Sequence, residues 1–129
     1  MLAPDPIDAI YKKVGSEEPF YRLCAEFYTR VEKDQVLRPL YPEDVKPSIE
    51  HLALFLIQRT GGRQTYSEQR GHPRMRARHM PFKIGQAERD AWVKNMNEAL
   101  DAVPEFEPHK KHLREFFENF ATFMINQPT

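Results

Sequence analysis

The residues of this chain best suited to chemistry lie in Gly71-His72-Pro73-Arg74-Met75-Arg76-Ala77-Arg78-His79-Met80-Pro81-Phe82, a basic run that sets a histidine at the frayed end of a short turn. Pro73 can begin a helical turn, where its missing N–H is no loss, and Pro81 disfavours the helical conformation at Met80. The turn is therefore expected to end close to His79. A histidine held there can satisfy one ring nitrogen on a nearby backbone carbonyl and keep the other for a metal, a proton or water. Spacing alone does not choose among these, because a lone histidine also serves as an ordinary surface or hydrogen-bonded residue.

The cations Arg70, Arg74, Arg76, Arg78 and Lys83 crowd the same run. They admit three readings: a solvated loop face, a nucleic-acid patch, or a clamp for a small anion. In the last, arginine pairs with carboxylate or phosphate oxygens at about 1.5–3 kcal/mol per charge-assisted bond. The nucleic-acid reading is disfavoured, because 19 Lys and Arg balance 19 Asp and Glu and no aromatics interleave the cations. No nucleophile elbow, phosphate-cradling glycine loop, paired-histidine zinc helix or calcium loop is present. Cys24, the one cysteine, excludes an internal disulfide and a cysteine-based metal site, suits a reducing cytosol, and is expected to pack as a small apolar residue. His109 and His112 fall on the outer face of the last helix, and His51, beside Leu52, faces solvent or the polar edge of a ligand.

The elements that must position these side chains are helical by pattern. Asp5 or Asp8 starts a short helix that ends near Gly15. From Pro19 to about Lys33 the residues Phe20, Leu23, Cys24, Phe27 and Val31 recur three or four apart. Gln35–Tyr41 predicts a single tight turn with Tyr41 at its rim. Pro47 opens a helix carrying Ile49, Leu52, Ala53, Leu56 and Ile57, closed by Gly61-Gly62. Between Gly61 and Pro81 little is apolar beyond Tyr66 and Met75, which predicts a long irregular connection of the kind that carries function. Gln86–Val103 and His109–Asn126 complete the set, the latter with Leu113, Phe116, Phe117, Phe120, Phe123 and Met124 as its stripe. No alternating run is long enough for a strand. At 129 residues the chain fits one all-α domain spanning 1–129. Met1-Leu2-Ala3-Pro4-Asp5-Pro6 has neither a basic start nor an apolar core, and no apolar run approaches membrane-spanning length. A cytoplasmic protein without nucleic-acid or membrane partners is expected. Tyr28 and Trp92 fit an ordinary aromatic core less well than their phenylalanine neighbours, since each carries a polar atom that needs a partner or a polar pocket.

Several segments together closely resemble the group II truncated haemoglobins: Tyr66-Ser67-Glu68-Gln69-Arg70-Gly71-His72-Pro73, Arg76-Ala77-Arg78-His79-Met80-Pro81-Phe82-Lys83-Ile84 and Glu88-Arg89-Asp90-Ala91-Trp92. The resemblance extends to Phe27-Tyr28, Leu40-Tyr41-Pro42-Glu43-Asp44 and Gly61-Gly62, and so covers nearly the whole chain in order. It implies a shortened globin fold, a two-over-two helical sandwich, holding haem b (iron protoporphyrin IX). By this resemblance His79 is the proximal iron ligand, its other ring nitrogen donating to a backbone carbonyl. Tyr28, Tyr41 and Trp92 line the distal pocket and donate to a ligand on the iron. Ser48 stands at the gate, Leu52 one turn further in, and Phe55 against the porphyrin. Arg78, with Tyr66 beside it, reaches the haem propionates.

The implied function is binding of oxygen and other diatomic ligands, with an unidentified reductase as partner and redox work on nitric oxide or peroxide as a further activity. Two departures stand out. Many relatives carry a double glycine after the first helix where this chain has only Gly15, and the gate position varies, so that Ser48 can bond the ligand or turn to solvent or its own backbone. A rival of a different class keeps the helices without haem, as an interaction module whose Arg-rich loop binds a partner. Such a protein would be colourless.

Overall fold

The apolar stripes become helices in the computed structural model, which describes residues 5–128. Met1–Pro4, part of the amino-terminal segment read above, lie outside the described residues. Helix α1 (Ile10–Val14) ends at Gly15, whose φ of 88° is the left-handed closure glycine adopts without strain. Helix α2 (Glu18–Val31) buries Phe20, Leu23, Cys24, Phe27 and Val31 along one face, as their spacing requires. A 3₁₀ turn at Arg38–Leu40 leads into helix α3 (Lys46–Arg59), where Ala53–Ile57 are buried without a break. That run is longer than one stripe because α3 is covered on several sides. At its end a β-carbon on Gly61 (φ 100°) would sit 2.1 Å from the Asp8 carbonyl oxygen, so only glycine lets the amino-terminal segment close over α3. Arg59 fixes that closure through carboxylates of Asp5 and Asp8.

Helices α6 (Gln86–Asp101) and α7 (Lys110–Phe123) form the second long pair, joined by a 3₁₀ turn at Pro104–His109. Glu88 Oε1 accepts the Gly85 N–H at 2.7 Å and satisfies one of the orphan donors that open α6. Helix α2 packs on α3 and on α6, and α6 on α7, which sets one helix pair across the other with Phe20, Phe27, Phe106 and Phe117 fully buried between them. Among the described residues there is no strand, and no helix is long and apolar enough to cross a membrane.

Four expectations need correction. The stretch from Gly61 to Pro81 is not irregular throughout: it holds helix α4 (Thr65–Arg70) and helix α5 (Met75–His79). Tyr66 is the one buried residue of α4 and α5 has none, so neither could show an apolar period. Pro73 does not begin the turn before His79. Arg74 precedes α5 in the left-handed conformation (φ 43°), and the helix starts at Met75. Phe123 does not join the inner stripe of α7 but stands 62% exposed, while His109 sits half-buried in the turn before α7 rather than on its outer face.

Asp34 couples the two helix pairs. Its Oδ1 accepts the Val36 and Leu37 N–H groups, and its Oδ2 accepts from the Nδ2 of Asn95, a side chain only 4% exposed on α6. The Asn95 bond is the main reason the Asp34 carboxyl titrates below its ordinary value. Asp34→Ala is expected to destabilise the fold by about 1–3 kcal/mol in urea at neutral pH. A depressed carboxyl stabilises above its unfolded pKa and loses that contribution as pH falls through the folded value. The gap between wild type and variant should therefore close below about pH 4. Equal stability at pH 7 would remove Asp34 from this role.

Candidate functional site

A cavity of about 290 Å³ opens between the helix pairs, walled by α2, α3, α6 and α7 and floored by the short helices α4 and α5. His79 lines it from the last position of α5. Its Nδ1 lies 2.6 Å from the Met75 carbonyl oxygen, which can only accept, so Nδ1 carries the proton and Nε2 keeps a lone pair. This is the arrangement expected from the turn, with the carbonyl now identified. Asn126 holds the segment from beyond α7: its Nδ2 donates to the His79 and Phe82 carbonyls at 3.2 and 2.8 Å, and its Oδ1 accepts the Ile84 N–H at 3.0 Å. Nothing in the sequence marked Asn126, because an amide bonding to backbone more than forty residues away leaves no local pattern.

Tyr28, Tyr41, Ser48, Leu52 and Trp92 all line the same cavity. The Tyr28 and Tyr41 rings meet edge to face at 5.2 Å, and Trp92 packs on Phe27 at 5.3 Å and on Phe117 at 5.6 Å. Packing of this kind fixes three polar atoms on rigid rings. Burial pushes the Tyr28 hydroxyl well above its ordinary value, Tyr41 adding to the effect and Ser48 opposing it. Burial also pushes the Tyr41 hydroxyl up to about 12, against the pull of Trp92 and Tyr28. Both phenols stay protonated and available as donors. Phe55 does not line the cavity. It stands one layer behind, packed on Tyr66 at 5.8 Å and on Phe120 at 5.5 Å, two residues that do.

One rim is cationic. Arg78 Nε and Nη2 donate to the Pro73 and Arg70 carbonyls, each at 2.7 Å, and the Arg78 and Arg70 guanidinium groups lie 5.7 and 5.8 Å from the Tyr66 ring centre. Tyr66 itself is buried, its hydroxyl 3.9 Å from Met75 Sδ. Arg70 Nη1 also lies 3.0 and 2.9 Å from the ring nitrogens of His51, whose pKa is lowered first by burial and then by that charge. Neither Arg70 nor Arg78 forms an ion pair among the described residues. The His51–Arg70 pair and the lining by Glu88 and Arg89 were not foreseen from sequence, since loop cations look alike until a cavity selects among them.

These surroundings fit a flat, metal-bearing dianion. No three His, Cys, Asp or Glu side chains of the described residues gather to hold a metal ion, so a metal on His79 Nε2 must bring its other ligands with it. The unpaired arginines suit its anionic groups, and the donors across the cavity suit a polar guest. A family model described as bacterial-like globin matches residues 9–126. Group 2 truncated hemoglobin YjbI of Bacillus subtilis (strain 168) is 37% identical over 124 residues, covering 93% of this chain and 90% of that protein. The chain belongs to the group II truncated haemoglobins.

Solved structures of this truncated haemoglobin family agree with its architecture. The hemoglobin of Chloroflexus aurantiacus superimposes with a TM-score of 0.88 at 47% identity, covering 92% of this chain and 98% of that one. A structure described as the truncated oxygen-avid haemoglobin of Bacillus subtilis does so with a TM-score of 0.85 at 37% identity, covering 92% of this chain and 99% of that one. The fold is the two-over-two sandwich of a truncated haemoglobin, and membership implies haem-based oxygen binding.

Proposed function

We propose that this truncated haemoglobin holds haem b through His79 Nε2 and binds oxygen and other diatomic ligands on the opposite side of the cavity. The observation that carries the reading is that a histidine whose Nδ1 is engaged by the Met75 carbonyl and three side chains with donor groups, Tyr28, Tyr41 and Trp92, line one cavity with a cationic rim. When bound, the haem supplies an iron with one open position for a diatomic ligand and for one-electron chemistry. His79 is held in one tautomer by Met75, which raises the basicity of the free nitrogen. Arg78, with Arg70 and His51 beside it, meets the propionates, and Tyr66 supports both guanidinium groups from below. Leu52 and Phe82 supply apolar walls that exclude water, and Phe55 braces the wall formed by Tyr66 and Phe120.

Trp92, Tyr28 and Tyr41 donate hydrogen bonds to a guest that carries partial negative charge, and Ser48 supplies a further hydroxyl where the cavity opens. Such donors slow ligand release, in keeping with the oxygen-avid description of the Bacillus subtilis protein. The same polar wall suits redox work on nitric oxide or peroxide beside oxygen transport. A reductase that returns the iron to its ferrous state is the protein partner this chemistry requires. The single buried thiol Cys24 fits a cytoplasmic setting.

The test is spectroscopic. Purified protein supplied with haem should absorb strongly near the violet end, and carbon monoxide should shift that band after reduction. Trp92→Phe should then speed oxygen dissociation about tenfold, since one hydrogen bond contributes on the order of 1.4 kcal/mol. A colourless protein that takes up no haem would overturn the reading, and an unchanged rate would remove Trp92 from it.

A further inference from the structure

Most arginines outside one segment of this chain have a carboxylate partner. Arg22, Arg30, Arg59, Arg63, Arg89 and Arg114 each hold one and Arg38 binds only the Tyr41, Pro42 and Glu43 carbonyls, whereas Arg70, Arg74, Arg76 and Arg78 hold no carboxylate among the described residues, nor does Lys83. No Asp or Glu lies between Glu68 and Glu88, so these five cations sit in a chain whose remainder is net negative by five. Arg70 and Arg78 line the cavity, but Arg74, Arg76 and Lys83 do not, and all three of these are exposed.

Apolar side chains break the surface at the same place. Met80, Phe82 and Phe123 are 52%, 43% and 62% exposed, three of the four large hydrophobics standing in solvent among the described residues. Arg76 ties Met80 to Phe123. Its Nη1 lies 3.4 Å from Met80 Sδ, its guanidinium 6.0 Å from the Phe123 ring centre, and its Nε donates to the Phe123 carbonyl at 3.1 Å. The charge is thus fixed at the surface by neutral groups and is not cancelled. A merely solvated loop has no reason to collect exposed aromatics, whereas an apolar centre with a charged rim is the anatomy of a contact surface. Phe82 also lines the cavity, so one side chain belongs both to the cavity wall and to this face.

We propose that Arg74, Arg76 and Lys83, around Met80, Phe82 and Phe123, dock an acidic electron-transfer protein that reduces the iron from the His79 side. The inference rests on the haem reading above. With haem held by His79, one electron would pass from the partner's reduced flavin to the ferric iron. The flavin loses that electron, the iron becomes ferrous, and no bond forms or breaks. Charge complementarity selects the occupant: a basic face in an otherwise acidic molecule orients an acidic partner by steering. Two-fold pairing with a second copy would oppose like charges. The small size of the patch suits the brief encounters of electron-transfer pairs.

Flavodoxin in its hydroquinone form serves as the acidic probe. Mixed with the ferric holoprotein, it should reduce the iron with a second-order rate constant that falls about tenfold or more between low and physiological salt. Arg74→Glu with Lys83→Glu should lower the low-salt rate by about tenfold and flatten its salt dependence. Lys12→Glu with Lys13→Glu makes the same charge change on α1 and should leave the rate within about twofold. Independently of turnover, oxidised flavodoxin should shift amide resonances at residues 74–83 and 123 of the reduced, carbon monoxide-saturated protein.

A normal violet band with a rate indifferent to salt and to Arg74→Glu/Lys83→Glu overturns the docking face and leaves haem binding standing. Absence of the band overturns both. Sedimentation with phosphatidylglycerol vesicles, lost in that double variant and without flavodoxin-induced shifts, assigns the face to lipid and overturns the proposal as well.

Discussion

Replacing His79 with glycine is expected to speed haem loss at least a hundredfold, and free imidazole is expected to restore both the pigment and its spectrum. In the proposed site the bond from His79 Nε2 is the haem's covalent attachment to the protein. A hundredfold change corresponds to about 2.7 kcal/mol, modest for an iron–imidazole bond. Rescue should succeed because the backbone around the missing ring does not depend on it. Asn126 Nδ2 still binds the carbonyls of residues 79 and 82, and Arg78 still binds those of Pro73 and Arg70. The vacated space keeps the Met75 carbonyl as an acceptor, so an imidazole entering it meets the same partner at one nitrogen and presents the other. Transfer of haem to an excess of a scavenging apoglobin measures the rate. Equal retention with no spectral response to imidazole would mean that another group is the axial partner.

What the sequence disclosed about this site follows from how each signal is stored. The four long helices were legible because each buries a face, and a buried face repeats every three or four residues. Phe20, Leu23, Cys24, Phe27 and Val31 are the clear case. Helices α4 and α5 were not, because a five- or six-residue helix with at most one buried side chain has no period to show. Periodicity also overreached at Phe123, which keeps step with the stripe but lies where α7 runs out past its neighbours.

The same division holds within the cavity. That one His79 nitrogen would bond a carbonyl was readable from Pro81 and the short turn, whereas Asn126, which holds that turn in place, acts across the fold and left no trace nearby. Resemblance supplied Tyr28, Tyr41, Ser48, Leu52 and Trp92 as a set, and the fold brings them to one cavity. It could not tell a wall residue from the layer behind it, which is where Phe55 stands.

Removing the haem is expected to lower stability by several kcal/mol and the midpoint of thermal unfolding by about 10 °C or more. An empty cavity of about 290 Å³ at about 24 cal/mol per cubic ångström sets a ceiling near 7 kcal/mol, comparable with the whole stability of many domains. Water admitted beside Tyr28, Tyr41 and Ser48 keeps the cost below that ceiling, because those hydroxyls then regain partners. The loss should also be uneven. Helix α5 buries no residue and α4 only Tyr66, so residues 65–82 are tied to the rest of the fold by a few polar contacts, Gln58 on Ser67, Arg76 on the Phe123 carbonyl and Asn126 on the His79 and Phe82 carbonyls, and by whatever fills the cavity they floor. Helices α2 and α6 instead meet across a core that includes Phe27, Met96 and Leu100 and need no cofactor to stay dry. Amide exchange in the apoprotein should therefore accelerate over residues 65–82 while α2 and α6 keep their protection. Near-ultraviolet dichroism should weaken as Trp92, Tyr28 and Tyr41 lose their fixed setting. An apoprotein that melts with the holoprotein and keeps its dichroism would mean that the cavity stands by its own packing, and that the rings lining it are core residues first and ligand donors second.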